Sequence, residues 1–291
     1  MSKYYLGRVV ANLKSWTGVP IKQLTQEEKD KLDSCISFVP FYYVCNEIWR
    51  ITIESEKDFI NYCKELEGTE RIYSEQEMVG LLTTANKFLI SFLSFMKTFV
   101  DVTSNAVAKK SKADLTRFQT ATNQAYDNSF SYRFLIRLRN YVIHHSMPIT
   151  QIKSDEHGVE FRISRDQLLN YSGWSAVKNE IVNLPEQIDV AQYVEEANKE
   201  IDSLYFLALE TVLPEVSKGS HYLRETCEKY GITMLAIGEV HEGIENVITW
   251  HKFPLHLFKQ YIDDIVHNPH IMLQERERNN TDWTGGTIVL R

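Results

Sequence analysis

Ser74-Glu75-Gln76-Glu77 opens the segment that most restricts how this chain can fold. A serine followed three residues later by a glutamate is a capping box, the signature of a helix start. Beyond it Met78, Leu81, Leu82, Ala85, Leu89, Phe92, Met96 and Phe99 recur at helical spacing. The spacing predicts a long helix with a wide buried face, which other helices have to cover. The most apolar run inside it, Phe88 to Val100, is interrupted by Lys97 and falls short of a membrane-spanning length.

The neighbouring segments supply that cover. Lys109 to Lys112 reads as a polar link, and a helical region follows from Leu115 to His145, with a break expected near Asp127-Asn128-Ser129 and a limit set by Pro148. Thr150-Gln151-Ile152 and Val159 to Ile163 flank Asp155-Glu156-His157-Gly158 as a β-hairpin. Ser164-Arg165-Asp166-Gln167 is another capping box, Trp174 to Leu184 suits a helix ended by Pro185, and Asp189 can cap a helix through Leu213. The expected architecture is mainly α: residues 74–214 as a helical bundle with a β-hairpin insertion, between an N-terminal α/β extension over 1–73 and a C-terminal mixed extension over 215–291. In the first extension Thr25 to Glu28 caps a short helix. Phe38 to Tyr43 and Ile48 to Ile53 are rich enough in β-branched and aromatic residues to predict strands. A helix over Lys57 to Leu66 is ended by Gly68. In the last, helices over His221–Tyr230 and Pro254–Val266 flank a strand over Ile232–Ile237.

Charge limits the function classes. There are 32 Lys and Arg against 39 Asp and Glu, a net charge of −7, so the chain does not coat nucleic acid indiscriminately and any such role rests on a local patch. Cys35, Cys45, Cys63 and Cys227 form no C-x-x-C pair, which predicts reduced thiols rather than disulfides or a thiolate metal site. The amino-terminal residues carry no secretion signal, and the expected location is the cytoplasm.

The concentrated chemistry lies in Ser131 to His145. At 100° per residue Arg133, Arg137, Asn140 and His144 fall on one stripe, opposite Phe134, Leu135, Leu138 and Val142. Arginine offers planar, bidentate recognition of phosphate oxygens, and histidine exchanges protons near neutral pH. Together they suit phosphodiester chemistry. Taken singly, Arg133 and Arg137 are more simply read as partners of acidic residues on a neighbouring helix; together they are candidates to line an RNA path. His145 lies about 100° from His144 and reads as structural or solvent-facing, and Tyr141 as a core aromatic.

Arg139-Asn140-Tyr141-Val142-Ile143-His144 resembles the R-x4-6-H motif of the HEPN superfamily, with a polar residue directly after the arginine. The resemblance covers roughly residues 74–214. It implies a metal-independent endoribonuclease that needs no cofactor and acts as a homodimer. In it His144 exchanges a proton with the ribose 2'-OH or the leaving 5'-oxygen, Arg139 stabilises charge on the phosphorane, and Asn140 holds His144 or the phosphate in place. The products would be 2',3'-cyclic phosphate and 5'-OH ends. It further implies a toxin or antiviral-defence effector with an antitoxin or defence-system partner protein, and the same superfamily holds non-catalytic modules that bind RNA or protein. On an ideal helix Arg139 lies about 140° from His144. Either the helix loosens before Pro148, or a second protomer completes the site.

Other constellations are weaker. His221, His241, His251, His256, His267 and His270 lie near Glu239, Glu242, Asp263 and Asp264, but no H-E-x-x-H spacing appears and Pro269 interrupts His267 and His270. Scattered histidines are the simpler reading. No phosphate-binding glycine loop, dinucleotide fingerprint or nucleophile elbow is present. Lys109 to Lys112 reads as a solvated loop, and Gly285-Gly286 as part of a polar tail.

Overall fold

A computed structural model describes residues 3–11, 15–67, 73–155, 158–240 and 248–266. Gly68, His157, His241, His267, His270 and Gly285-Gly286 lie outside the described residues. The fold is mainly helical with small antiparallel sheets, in two compact units: one takes Met1–Tyr42 with Leu209–Arg291, the other Tyr43–Ala208. The grouping differs from the three consecutive segments expected along the chain, because the two terminal stretches pair strand to strand.

In the first unit β1 (Lys3–Ala11) and β2 (Trp16–Leu24) form a hairpin, and β6 (Leu235–Val240) and β7 (Ile248–Lys252) another. They join antiparallel in the order β2-β1-β6-β7, with Tyr4 opposite Glu239 and Leu6 opposite Ile237. Helix α1 (Gln26–Cys35) starts at the expected capping box, with the Thr25 side chain accepting from Glu28 and the Glu28 side chain accepting in return. Helix α9 (Leu213–Tyr230) packs against α1 so closely that a Cβ on Gly219 would stand 2.9 Å from the Cys35 carbonyl. Pro214 sits in the first turn of α9, where its missing N–H costs nothing, so it opens this helix rather than closing the preceding one. Helix α10 (Leu255–Val266) contributes Phe258 and Tyr261 to a cluster of edge-packed rings with Phe38 and Tyr42.

The sheet's other face depends on one indole. Trp250 of β7 lies across three neighbouring strands at Gly238, Gly7 and Gly18, where added Cβ atoms would stand 2.8, 2.3 and 2.0 Å from its ring. A side chain at any of the three would lift the ring off the sheet. We expect Gly18→Ala to lower stability by about 1–3 kcal/mol through overpacking. Gly80→Ala, on an open helical surface with nothing within 4 Å, should raise it by about 0.5–1 kcal/mol. Urea unfolding of the two variants checks the contrast.

The second unit contains most of α2 (Val39–Leu66), together with α3 (Glu75–Lys110), α4 (Lys112–Asn128), α5 (Phe130–His144) and α8 (Val190–Glu210). The strands expected over Phe38–Tyr43 and Ile48–Ile53 are instead one continuous helix. The buried residues of that helix, Phe41, Tyr42, Cys45, Asn46, Thr52, Ser55, Glu56, Phe59 and Ile60, fall in pairs and singles three, four or seven positions apart, a helical period that outweighs β propensity. Packing against α8 fixes the register: Trp49 stacks on Tyr205 at 4.3 Å and donates to Asp202 at 2.8 Å, while Asn46 donates to the Tyr205 hydroxyl at 2.8 Å.

Helix α3 starts at Ser74 with both halves of the capping box present, and buries Ala85, Leu89, Phe92, Met96 and Phe99 as the spacing predicts. Its apolar window is longer than the run noted in the sequence. Among the described residues α3 is the one helix long and apolar enough to cross a membrane by composition. The expected link at Lys109–Lys112 reduces to one residue, Ser111, whose N–H closes α3 and whose side chain caps α4. Ser129 plays the same double part between α4 and α5.

The hairpin forms as expected, with β3 (Gln151–Asp155) and β4 (Gly158–Ser164) antiparallel and a short β5 (Gln187–Ile188) added beside β4. After it come α6 (Arg165–Leu169), a 3-10 segment (Ser172–Val177) and α7 (Lys178–Val182) in place of one helix from Trp174. Asp189 accepts from the Ala191 N–H and so caps α8. All four cysteines are free thiols, and burial pushes Cys35 up to about 11 and Cys45 up to about 12.

Glu56 is a carboxylic acid on the buried face of α2. Burial raises its pKa, and the nearby Glu195 and Asp202 carboxylates push the same way. A raised folded value means its contribution is present at low pH and lost as pH rises through that value. We expect Glu56→Gln to be more stable than the native chain at pH 8 and to lose that advantage at pH 4, as thermal unfolding at the two pH values checks.

Candidate functional site

The α5 helix carries the candidate residues, and its rotational setting is fixed by burial. Tyr132, Phe134, Leu135, Leu138 and Tyr141 are almost wholly buried, so the arginines are pushed to the flanks. Trp174 of the 3-10 segment, with no exposed surface, holds the helix from outside: it stacks on Phe134 at 6.0 Å and on Tyr141 at 5.7 Å, and donates to the Leu168 carbonyl. Past the helix end the Asn86 amide of α3 closes on Ile149 from both sides, accepting its N–H at 3.1 Å and donating to its carbonyl at 2.8 Å. That pair is buried and fixes where the chain after Pro148 leaves the helix.

The three arginines of the helix are used differently. Arg133 forms a two-pronged pair with Glu180 of α7, its Nε 2.9 Å from Oε2 and its Nη2 on Oε1. Its Nη1 donates to the carbonyls of Tyr126 and Asp127 at 3.2 and 3.0 Å, so it also closes the end of α4. Arg137 donates from Nε to the Tyr126 hydroxyl at 2.9 Å and lies 5.8 Å from that ring's centre. Both residues offered as RNA contacts thus have partners inside the unit. Arg139 does not share this arrangement: it is half-buried, and its Nε is shut off from solvent with no hydrogen-bond partner among the described residues.

Asn140 is half-buried, and His144 is exposed as the last residue of α5. His145 follows as the closing residue, its N–H donating to the Tyr141 carbonyl at 2.8 Å. The helix departs from regular geometry only there, at φ −136°, beyond both motif residues. Arg139 and His144 therefore keep the angular separation of about 140° that a regular helix imposes. One helix does not aim them at a single phosphate. Ile143 and Met147, each 53% exposed, present apolar surface on either side of His144 in the chain.

Tyr171 and Trp174 were not among the candidates read from the sequence, yet they pack at the His145 end of α5. The His145 ring stands 5.0 Å from Tyr141 and 5.6 Å from Tyr171, and Tyr171 packs edge-on against Trp174. Gly173, set between two aromatics, was the available signal. Of the C-terminal histidines within the described residues, His221 pairs with Glu225 at 3.1 Å. No three His, Cys, Asp or Glu side chains come together around a metal-sized site among the described residues. No family model, curated protein or solved structure matches the chain.

The Arg133 pair yields a pH test. Its hydrogen bond holds the Glu180 carboxyl below the usual range. A depressed folded value contributes stability above the unfolded value of 4.5 and loses it as pH falls through the lower folded value. We expect Arg133→Ala to cost about 1–2 kcal/mol at pH 7, moderated by the solvent access of Glu180. The difference from the native chain should shrink as unfolding is measured further below pH 4.5.

Proposed function

We propose that this chain is a metal-independent endoribonuclease of the HEPN kind, acting in the cytoplasm as a homodimer. The observation that carries the reading is the contrast within α5. Arg133 is held by Glu180 and Arg137 by Tyr126, while Arg139, the arginine of the motif, keeps a buried Nε with no acceptor among the described residues. A buried guanidinium edge without an acceptor is costly. The Nε is closed to solvent, so a phosphate oxygen reaches it only when the covering side chains move aside, and then makes a charge-assisted bond with it. His144 closes the same helix with its ring exposed.

In this reading His144 exchanges a proton with the ribose 2'-OH or the leaving 5'-oxygen, and the 2'-oxygen attacks the adjoining phosphorus as the bond to the 5'-oxygen breaks. Arg139 neutralises charge on the phosphorane, and Asn140 orients the imidazole or the phosphate. The products are a 2',3'-cyclic phosphate and a 5'-OH. The 140° separation calls for Arg139 of one protomer beside His144 of another, and a two-fold axis makes two such pairings at once. Exposed Ile143 and Met147 offer apolar surface for that contact. A role as a toxin or antiviral-defence effector, restrained by an antitoxin or other defence-system protein, extends the same proposal.

A second reading, a non-catalytic HEPN-like scaffold for RNA or protein, is favoured by the internal pairing of Arg133 and Arg137. Cleavage separates the two. With purified protein in EDTA, we expect RNA cut to cyclic-phosphate ends, and a loss of about a hundredfold or more in Arg139→Ala and in His144→Ala. Binding that survives His144→Ala with no cleavage by the native chain selects the scaffold. Cleavage unchanged by both substitutions removes the proposed site. Full activity from a 34.0 kDa monomer by light scattering removes the composite one.

A further inference from the structure

We propose that the rings of His145 and Tyr171 form a ledge on which one base of a bound RNA strand stacks, next to His144. The inference deepens the ribonuclease reading and rests on it. Four aromatic rings meet at this end of α5, and they form two layers. Tyr141 and Trp174 are the inner layer, 2% and 0% exposed, covered as core rings are. His145 and Tyr171 are the outer layer, exposed and half-buried respectively, with ring centres 5.6 Å apart and planes 37° apart. Packing of the core accounts for the inner pair but leaves the outer pair turned to solvent.

The outer layer is held in place at a cost. Tyr171 lies against the backbone at Gly173, where an added Cβ would stand 2.3 Å from the phenol Cζ and Oη. Two residues on, Ser175 takes φ 54°, ψ −132°, a left-handed setting that side chains rarely adopt. The Trp174 indole between them is pinned by its hydrogen bond to the Leu168 carbonyl. Such strain persists only where the surrounding packing imposes it, and it gathers at places that bind. A ring fixed in advance loses little freedom when a ligand arrives.

The chemistry of the ledge selects a base. Each outer ring joins an aromatic face to a polar rim, the His145 imidazole nitrogens and the Tyr171 hydroxyl, and the hydroxyl makes no hydrogen bond among the described residues. A nucleobase has the matching form, a π face with donors and acceptors around its edge. His145 adjoins His144 in the chain, so a base seated on the ledge places its own ribose and phosphate at the end of α5 that carries His144.

The test uses full-length protein carrying His144→Ala, so that RNA stays intact, and reads anisotropy of a fluorescein-labelled single-stranded RNA and of the same strand made abasic along its length. Base stacking on an aromatic side chain is worth about tenfold or more in affinity. We expect the intact strand to bind about tenfold tighter than the abasic one. His145→Ala and Tyr171→Leu should weaken the intact strand alone by that factor, and His145→Phe should restore it. Thermal unfolding of each variant shows that the fold is kept, and Tyr171→Phe, which keeps the ring, should stay within a few-fold of the parent. Variants that are folded and bind the intact strand as the parent does overturn the ledge while leaving the ribonuclease reading standing. A parent that binds no RNA, with a native chain that cuts none, overturns both.

Discussion

Burial of the Trp174 indole is the interaction on which the α5 region depends. The ring is closed in by Phe134, Tyr141 and Tyr171 and fastened through its N–H to Leu168. Truncating a fully buried ring of this size typically costs about 3–5 kcal/mol, a large share of a domain's net stability. Because Phe134 and Tyr141 are two turns apart on one helix, contact with both sets the helix's rotation as well as its position. The rotation then decides which side chains face outward. Arg133 meets Glu180 on the helix that follows the indole in the chain, and His144 and His145 emerge where the apolar face ends.

The arginines of α5 show how a polar side chain acquires or lacks a role inside a fold. Arg133 satisfies two carbonyls at the end of α4 and one carboxylate, which makes it a joint between α4, α5 and α7. Arg137 is held by one phenol through both its hydroxyl and its ring face. Arg139 carries the same charge on the same helix but finds no acceptor for its Nε among the described residues. An orphaned buried donor is rare in native proteins and asks for an acceptor from elsewhere. That difference supports a phosphate-binding role for Arg139 and a structural one for its neighbours.

Several elements were legible along the chain because their causes are local. The capping boxes at Thr25 and Ser74 form as written, since both partners lie within four residues of each other. The break before α5 is legible for the same reason: Ser129 both closes one helix and opens the next. At Phe38–Ile53 the β-branched and aromatic content pointed to strands, whereas the three-to-four-residue period of the buried positions pointed to a helix. The period decides, because Trp49 and Asn46 meet Tyr205 and Asp202 only from a helical backbone. Of the candidate site, the buried face of α5 and the angular separation of Arg139 from His144 follow from 100° per residue. The partners of Arg133 and Arg137 do not, since Glu180 is 47 positions away in the chain and nothing in either segment alone announces the meeting.

The sequence by itself determined the long capped helix of Ser74 onward, the hairpin around Asp155, the buried stripe of α5 and the acidic balance that confines any phosphate binding to a patch. Each rests on spacing or capping within a few residues, or on a sum over the chain. Tertiary structure alone decided that residues 3–24 and 235–252 share one sheet beneath Trp250, that α2 is a single helix, which arginine is left without an acceptor among the described residues, and that Tyr171 and His145 stand together. These outcomes depend on contacts between residues tens or hundreds of positions apart. The free energy of such contacts belongs to the packed pair, and neither partner's local sequence encodes it.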